Sequence, residues 1–115
     1  MRTCATCGRV MPEHRAVDPT VRYCSRRCRG EKPGALDLAL EDAILRLLSE
    51  RRRGATICPS EAARAVLEDW RPAMERTRRA ARRLVARGEV DILQKGRVVE
   101  PSTAKGPIRI RRRSS

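Results

Sequence analysis

Four of the five cysteines form two closely spaced pairs near the start of the chain. Two residues separate Cys4 from Cys7, which Gly8 follows, and three residues separate Cys24 from Cys28. Two thiolates in a C-x2-C knuckle can share one metal, and the second spacing is close to one helical turn, so both of its thiols can point the same way. The pattern C-x2-C-x16-C-x3-C therefore predicts one structural zinc ion per chain, bound by all four thiolates.

Four thiolates complete the tetrahedral coordination of zinc and leave no open position for water, so we expect no hydrolytic metal chemistry. Because four thiolates already complete the coordination, His14, the single histidine, is not expected to be a zinc ligand. Cys58 has no cysteine or histidine beside it and is predicted to be a small buried residue, not a nucleophile. The chain also lacks a Ser/His/acid set and a phosphate-binding loop, so neither an enzyme nor a small-molecule substrate is expected.

The N-terminal sequence shows no apolar leader, and no run approaches the length of a membrane span. These features predict a cytoplasmic protein, in which thiols stay reduced and cysteines bind metal or are buried. Residues 1–34 contain little that could form a hydrophobic core, so the metal is expected to hold this segment together.

The second cysteine pair lies in the motif Tyr23-Cys24-Ser25-x-Arg27-Cys28-Arg29, which resembles the end of treble-clef zinc fingers. The segment as a whole is similar to the bacterial family known as domain of unknown function 2256, and gyrase-inhibitor-like proteins share its CSxRC ending. The resemblance implies that a knuckle supplies two ligands and the first turn of a helix supplies the other two.

The stretch from Trp70 to Gly88 predicts a helix with two chemically different faces. Pro72 suits its first turn, and Gly88 suits its end. One face should pack into the core through Met74, Thr77, Ala81, Leu84 and Val85. The opposite face should be exposed and cationic, with Arg76, Arg79, Arg83 and Arg87. Such a stripe repels itself, and an anionic partner would relieve the repulsion, although a solvated face is the alternative.

The segment before this helix predicts two further helices joined by a short extended piece. Asp37 is expected to cap the first, and the run Arg51–Arg53 at its other end suits the helix dipole better than a function. Pro59 is expected to open the second helix, and Trp70, at its end, to pack in the core.

The helix predicted from Trp70 to Gly88 is called the arginine helix below. After it, two β-branched runs on either side of Lys95-Gly96 predict a β-hairpin, and Pro101 ends its second strand. The order helix, strand, helix, helix, hairpin is that of a winged helix-turn-helix, whose third helix commonly reads the major groove. In residues 107–113, Ile108 and Ile110 could pair as a third strand against the wing; otherwise the tail is a disordered basic arm.

Four separated motifs occur in order along this part of the chain. They are ICPSEAAR from Ile57, WRP-x-M from Trp70, GRVV from Gly96 and KGPIR from Lys105. Across most of residues 37–112 the chain is similar to the bacterial family known as domain of unknown function 3253. That resemblance implies a winged helix and no biochemical activity. The predicted protein is thus small and α+β, with a zinc finger at 1–34 and a winged helix-turn-helix domain at 35–115 that ends in a basic tail.

The net charge of +13, from 27 basic and 14 acidic residues, favours a polyanionic partner, nucleic acid before membrane. Aromatic residues for stacking single-stranded bases are almost absent, which favours duplex DNA and an accessory or regulatory role. A protein-interaction adaptor and an RNA- or ribosome-associated factor remain alternatives. The predicted nucleic-acid contacts are Arg76, Arg79, Arg83, Arg87, Lys95, Arg97, Arg109 and Arg111.

Overall fold

The structure is a computed structural model that describes residues 2–16, 20–30 and 32–113. The helices in these ranges are α1 (Glu13–Ala16), α2 (Arg26–Gly30), α3 (Ala35–Ser49), α4 (Pro59–Val66) and α5 (Met74–Ala86). The strands are β1 (Thr56–Ile57), β2 (Val90–Gln94), β3 (Arg97–Val98) and β4 (Arg109–Arg112). None of these helices is both long enough and apolar enough to cross a membrane.

The four strands form one antiparallel sheet in the order β1-β4-β2-β3. The C-terminal strand β4 therefore lies between β1 and β2, with Ile110 opposite both Ile57 and Ile92. All three isoleucines are buried, and Ile108 before the strand is buried too. Of the two alternatives predicted for the tail, a strand or a disordered arm, the structure has the strand. Its alternating isoleucines complete the core face of the sheet.

Helices α3, α4 and α5 pack against one another, and their core cluster includes side chains from the inner face of the sheet. Leu40, Ile44 and Leu84 supply much of the buried volume, while Ala62 and Ala80 are small enough to let helices approach closely. The predicted core face of α5 is confirmed at Thr77, Ala81 and Leu84, which are buried; Met74 and Val85 are half-buried.

The predicted hairpin is present. Lys95 and Gly96 have φ angles of 50° and 79°, the conformation of a type I′ turn, and they join β2 to β3. Strand β3 ends at Val98, although the Val99 N–H still donates to the Ile92 carbonyl at 2.9 Å. The ladder is therefore shorter than predicted, but the connection is the expected one.

The starts of two helices differ from the prediction. Gly34, not Asp37, is the N-cap of α3, and the Asp37 carboxylate accepts a hydrogen bond from the Gly34 N–H at 2.9 Å. Asp37 thus acts from the third helical position, as the acidic residue of a capping box does. The arginine helix opens with a 3-10 turn, Arg71–Ala73, that contains Pro72, and becomes α-helical at Met74.

Candidate metal centre and basic surfaces

The four predicted ligand cysteines converge. The Sγ atoms of Cys4, Cys7, Cys24 and Cys28 all lie within 4.8 Å of one another. The Sγ of Cys24 lies 3.7 Å from that of Cys7 and 3.5 Å from that of Cys28. A tetrahedral site with metal–sulfur bonds of about 2.3 Å has sulfur–sulfur edges of about 3.8 Å, whereas a disulfide needs about 2.05 Å. The spacing therefore fits one tetrahedral metal ion and excludes disulfides among these thiols.

The backbone holds the first pair in a narrow loop. The Cys4 N–H donates to the Arg9 carbonyl at 2.8 Å, and the Gly8 N–H donates back to the Cys4 carbonyl at 3.0 Å. The second pair is tied to this loop, since the Ala5 N–H donates to the Arg22 carbonyl and the Thr6 hydroxyl donates to the Cys28 carbonyl at 2.6 Å. These bonds preorganise the four thiols for one ion.

The pKa values of the thiols respond to this crowding. Burial raises the pKa of Cys24 to about 12, and the neighbouring thiols of Cys28 and Cys7 add to the rise. Burial also raises the pKa of Cys7, although an Arg9 backbone hydrogen bond opposes it. At Cys4, burial is outweighed by backbone hydrogen bonds from Cys7, Cys24 and Thr6, which lower its pKa to about 7. Four such thiols ionise together only beside a cation, so the donor set fits a metal ion.

The loop of residues 4–9, called the cysteine loop below, packs directly on α5. A Cβ atom on Gly8 would lie 2.5 Å from the Cβ of Arg82 and 2.6 Å from the backbone nitrogen of Arg83. Gly8 also has a φ of +75°, so it is required by the turn and by the close approach. A second link joins the Val10 N–H to the Ser102 hydroxyl at 2.7 Å.

Two consecutive arginines of α5 bind the carbonyls of the knuckle. Arg82 donates from Nε to the Cys7 carbonyl at 2.6 Å, and Arg83 donates from Nη1 to the Thr6 carbonyl at 2.5 Å. Both side chains are buried, and each is ion-paired: Arg82 with Glu75 at 2.9 Å and Arg83 with Glu41 at 2.7 Å. The two guanidinium groups thus connect the cysteine loop to the helices.

The prediction that Arg83 is exposed is therefore wrong, because the cysteine loop covers it and α3 supplies an acid beneath it. The rest of the predicted cationic stripe also faces acids. Arg76 pairs with Asp37 at 3.0 Å, Arg79 lies 4.0 Å from Glu75, and Arg87 pairs with Glu41 and Glu89 at 2.7 and 2.9 Å. The repulsion within the stripe is relieved inside the molecule.

The carboxylate of Asp37 shows the effect of these arginines. Burial alone would raise the pKa of Asp37, but hydrogen bonds from Arg76 and from the Gly34 N–H, together with the charges of Arg76 and Arg83, hold it below its usual value. Asp37 thus stays ionised at the base of the finger. Its i, i+4 partner on α3 is Glu41, and the pair forms an acidic strip opposite α5.

The predicted cations of the hairpin and tail have different surroundings. Lys95 is exposed within the turn and Arg97 directly after it, and Lys105 and Arg109 lie near them. The open groove that these four cations line has a volume of about 950 Å³ and is called the wing groove below. Arg109 also donates to the Thr56 hydroxyl at 3.0 Å, which fixes its position. No acidic residue lines this groove in the part of the chain that the structure describes.

Arg111, the last predicted contact, is half-buried and lies 3.6 Å from Asp91. The residues that sequence reasoning missed are the buried Arg82 and its acceptor carbonyls, the acidic partner Glu41, and Lys105 in the wing groove. One signal was present in the sequence: acids spaced i, i+4 on the first helix match arginines at similar helical spacing on the third. The burial of Arg82 depended on where the finger packs, which no local pattern encodes.

Fold and site together define a small α+β protein. Its four N-terminal cysteines converge into a cluster that could hold a metal ion, and the loop that carries two of them packs on the helices. A family model described as "Protein of unknown function (DUF3253)" matches residues 37–113, and the chain belongs to that family. The match runs from the start of α3 to the end of β4. A search of curated proteins finds no match.

Proposed function

We propose that the protein binds duplex nucleic acid, DNA foremost, in an accessory or regulatory role, and that the wing groove is its main phosphate-contacting surface. The observation that carries this proposal is the charge of that groove, which places Lys95, Arg97, Lys105 and Arg109 together with no lining acid among the described residues. A cation with no acid beside it is free to neutralise a phosphate, and the counterions that the nucleic acid then releases favour binding.

The order of elements supports a winged helix-turn-helix, with β2 and β3 as the wing and α5 as the third helix. In the usual docking of that fold, the third helix supplies the base contacts. Here four of the five arginines of α5, all but Arg78, face acids among the described residues, and two of the four, Arg82 and Arg83, are buried under the cysteine loop. We therefore assign the phosphate contacts to the wing in preference to the helix stripe.

We further propose that the metal is zinc and that its role is structural. Four thiolates are the donor set typical of structural zinc, and they leave no position for a reacting water. The resemblance of the segment to domain of unknown function 2256 points the same way. Three of the four cysteines are buried, which suits a closed site.

A salt titration of duplex DNA binding tests the proposed function. Lys95→Ala with Arg97→Ala should make the slope of log K against log salt shallower by about 1.8, because each phosphate that is no longer neutralised removes about 0.9 from the slope. The matched control is Arg22→Ala with Arg29→Ala, which removes the same charge from exposed positions of the finger and should leave the slope nearly unchanged. Equal slopes for the wing variant and the wild type would contradict the proposal and favour the protein-adaptor alternative.

A further inference from the structure

We infer that a second phosphate-binding site lies at the opposite end of β4 from the wing groove, in a cleft between the α3–β1 connection and the end of the strand. Five arginines line this arginine cleft: Arg51, Arg52, Arg53, Arg112 and Arg113. The inference rests on the proposed function, and it names a surface that would contact phosphates of the same duplex.

The cleft has a volume of about 440 Å³, and its other lining residues are Leu48, Gly54 and Ala55. Gly54 has a φ of +86°, and the Ala55 N–H donates to the Arg52 carbonyl at 3.1 Å, so a tight turn holds Arg52 and Arg53 at the bend. A phosphate group would meet several guanidinium groups at once here, and their planar forks suit its oxygens.

The charges of the cleft can be assigned one by one. Arg51 is paired with Glu61, and Arg113 is paired with Asp91 at 2.8 Å. Arg52, Arg53 and Arg112 are exposed, and none of them forms an ion pair with any residue in 2–16, 20–30 or 32–113. The site therefore carries three positive charges that the described part of the chain does not neutralise.

The expected dipole-complementing role of Arg51–Arg53 requires no hydrogen bond to the helix end, so it is compatible with a phosphate site. The carbonyls of the last turn of α3 accept backbone N–H groups, with Arg46 bonded to Glu50 at 3.1 Å and Leu48 bonded to Arg51 at 3.2 Å. The Arg51 guanidinium instead donates to Thr56 and Glu61 of the next elements. The side chains of Arg52 and Arg53 line the cleft without an ion pair to the described residues.

The two basic sites lie close together along β4. Arg109 lines the wing groove and Arg112 lines the cleft, three residues apart on β4, which corresponds to about 10 Å along a strand. Each strand of a duplex carries a charge about every 3.4 Å along the helix axis. Side chains three residues apart on a strand point to opposite faces of the sheet, so the two sites present charge on opposite sides of β4, and one duplex would contact both only around the end of the strand.

The test measures duplex binding by the full chain with Arg52, Arg53 and Arg112 changed to Ala. Removing three phosphate contacts should make the salt slope shallower by about 2.7, so that between 50 and 200 mM salt the affinity of the wild type falls about 40-fold more than that of the variant. The matched control, Arg9→Ala with Arg22→Ala and Arg29→Ala, removes three exposed charges from the finger. Replacing the same three cleft arginines by Lys should restore most of the slope, because charge is kept.

The outcomes separate this inference from the proposed function. A normal slope in the cleft variant, with a shallower slope in the wing variant, overturns the inference and leaves the function standing. Normal slopes in both variants overturn the function. If the loss of Arg112 disturbs β4, Arg52→Glu with Arg53→Glu alters the loop alone; it should weaken binding, and undiminished binding by that folded variant overturns the inference.

Discussion

The arginines of α5 and those around β4 have the same chemistry but different uses. Along α5 the structure gives an acidic partner to Arg76, Arg79, Arg82, Arg83 and Arg87. Around β4 the wing groove and the arginine cleft are lined by cations, without a lining acid among the described residues. In the first group Arg82 and Arg83 join the finger to the helices and the others are neutralised by nearby acids. In the second group several cations, Arg52, Arg53 and Arg112 among them, are exposed without an ion pair to the described residues. An arginine stripe on a helix is therefore not by itself a nucleic-acid surface.

The two groups should differ in what they contribute to stability. The guanidinium group is more weakly hydrated than an ammonium group and has five donors, so it tolerates burial between carbonyls and carboxylates. A buried pair such as Arg83–Glu41 is costly to break, because the remaining charge stays buried. Removal of an exposed arginine such as Arg52 leaves no buried charge or unpaired buried polar group.

If the four cysteines bind zinc as proposed, removing it should have the largest effect on the stability of the finger. Apparent binding free energies of structural zinc are about 10–16 kcal/mol, and residues 2–16 and 20–30 contain only a small buried cluster apart from the thiols. A chelator, or Cys7→Ser, should unfold the finger and expose Arg82 and Arg83, while the helices and sheet keep their own core. Zinc content and hydrogen exchange check this; protection of the Cys4 and Ala5 amides that persists without metal would contradict it.

Arg83→Ala should be the most costly single change on α5. It leaves the Thr6 carbonyl without its donor and removes one of the two cations of the buried Glu41. Because Arg87 still pairs with Glu41, we expect a loss of about 3 kcal/mol in the free energy of unfolding, the low end for breaking a buried pair. Arg52→Ala is the control and should stay within about 0.5 kcal/mol. Denaturant unfolding measures both, and equal losses would erase the distinction between the two groups.

Gly8→Ala tests the packing of the cysteine loop on α5. Its left-handed backbone costs a side chain about 1–2 kcal/mol, and the added Cβ would also collide with Arg82. Gly54→Ala is a matched control, since Gly54 has a φ of +86° and no atom lies within 4 Å of the position that its added methyl group would take. Thermal unfolding of both variants isolates the collision as the difference, and equal shifts would show that the loop can move away freely.

Asp37→Asn should have a smaller effect that depends on pH. The pKa of Asp37 is lowered in the folded protein, so its charge stabilises the fold above the unfolded value of about 3.9 and this contribution is lost as pH falls through the folded pKa. Because Arg76 is about half exposed, with 47% of its side-chain surface accessible, we expect about 1 kcal/mol near neutral pH. The gap between the two proteins should begin to close as pH falls below the unfolded pKa and should vanish below the folded pKa; a constant gap would contradict the ion-pair account.

Sequence reasoning succeeded where the signal was local. Cysteine spacing anticipated the four converging thiols, and Lys95-Gly96 anticipated the hairpin turn. It failed at Arg83, because burial there depends on the cysteine loop packing against a helix more than seventy residues away in sequence. Helical periodicity separates a core face from a polar face, but it does not reveal that a second module covers the polar face. The same limit hid the arginine cleft, whose members come from a loop and from the last strand.

The smallest predicted effect concerns one cation at the tip of the wing. Lys95 has a φ of 50° in a type I′ turn, where Asn before Gly is the preferred residue, so Lys95→Asn should keep the hairpin or stabilise it by a few tenths of a kcal/mol. If Lys95 contacts a phosphate, the same change should make the salt slope of duplex binding shallower by about 0.9. Arg78→Ala is a control on α5, where the loss of one half-buried cation should leave the slope nearly unchanged. A slope that responds to Arg78 and not to Lys95 would return the nucleic-acid contact to the helix and reverse the comparison.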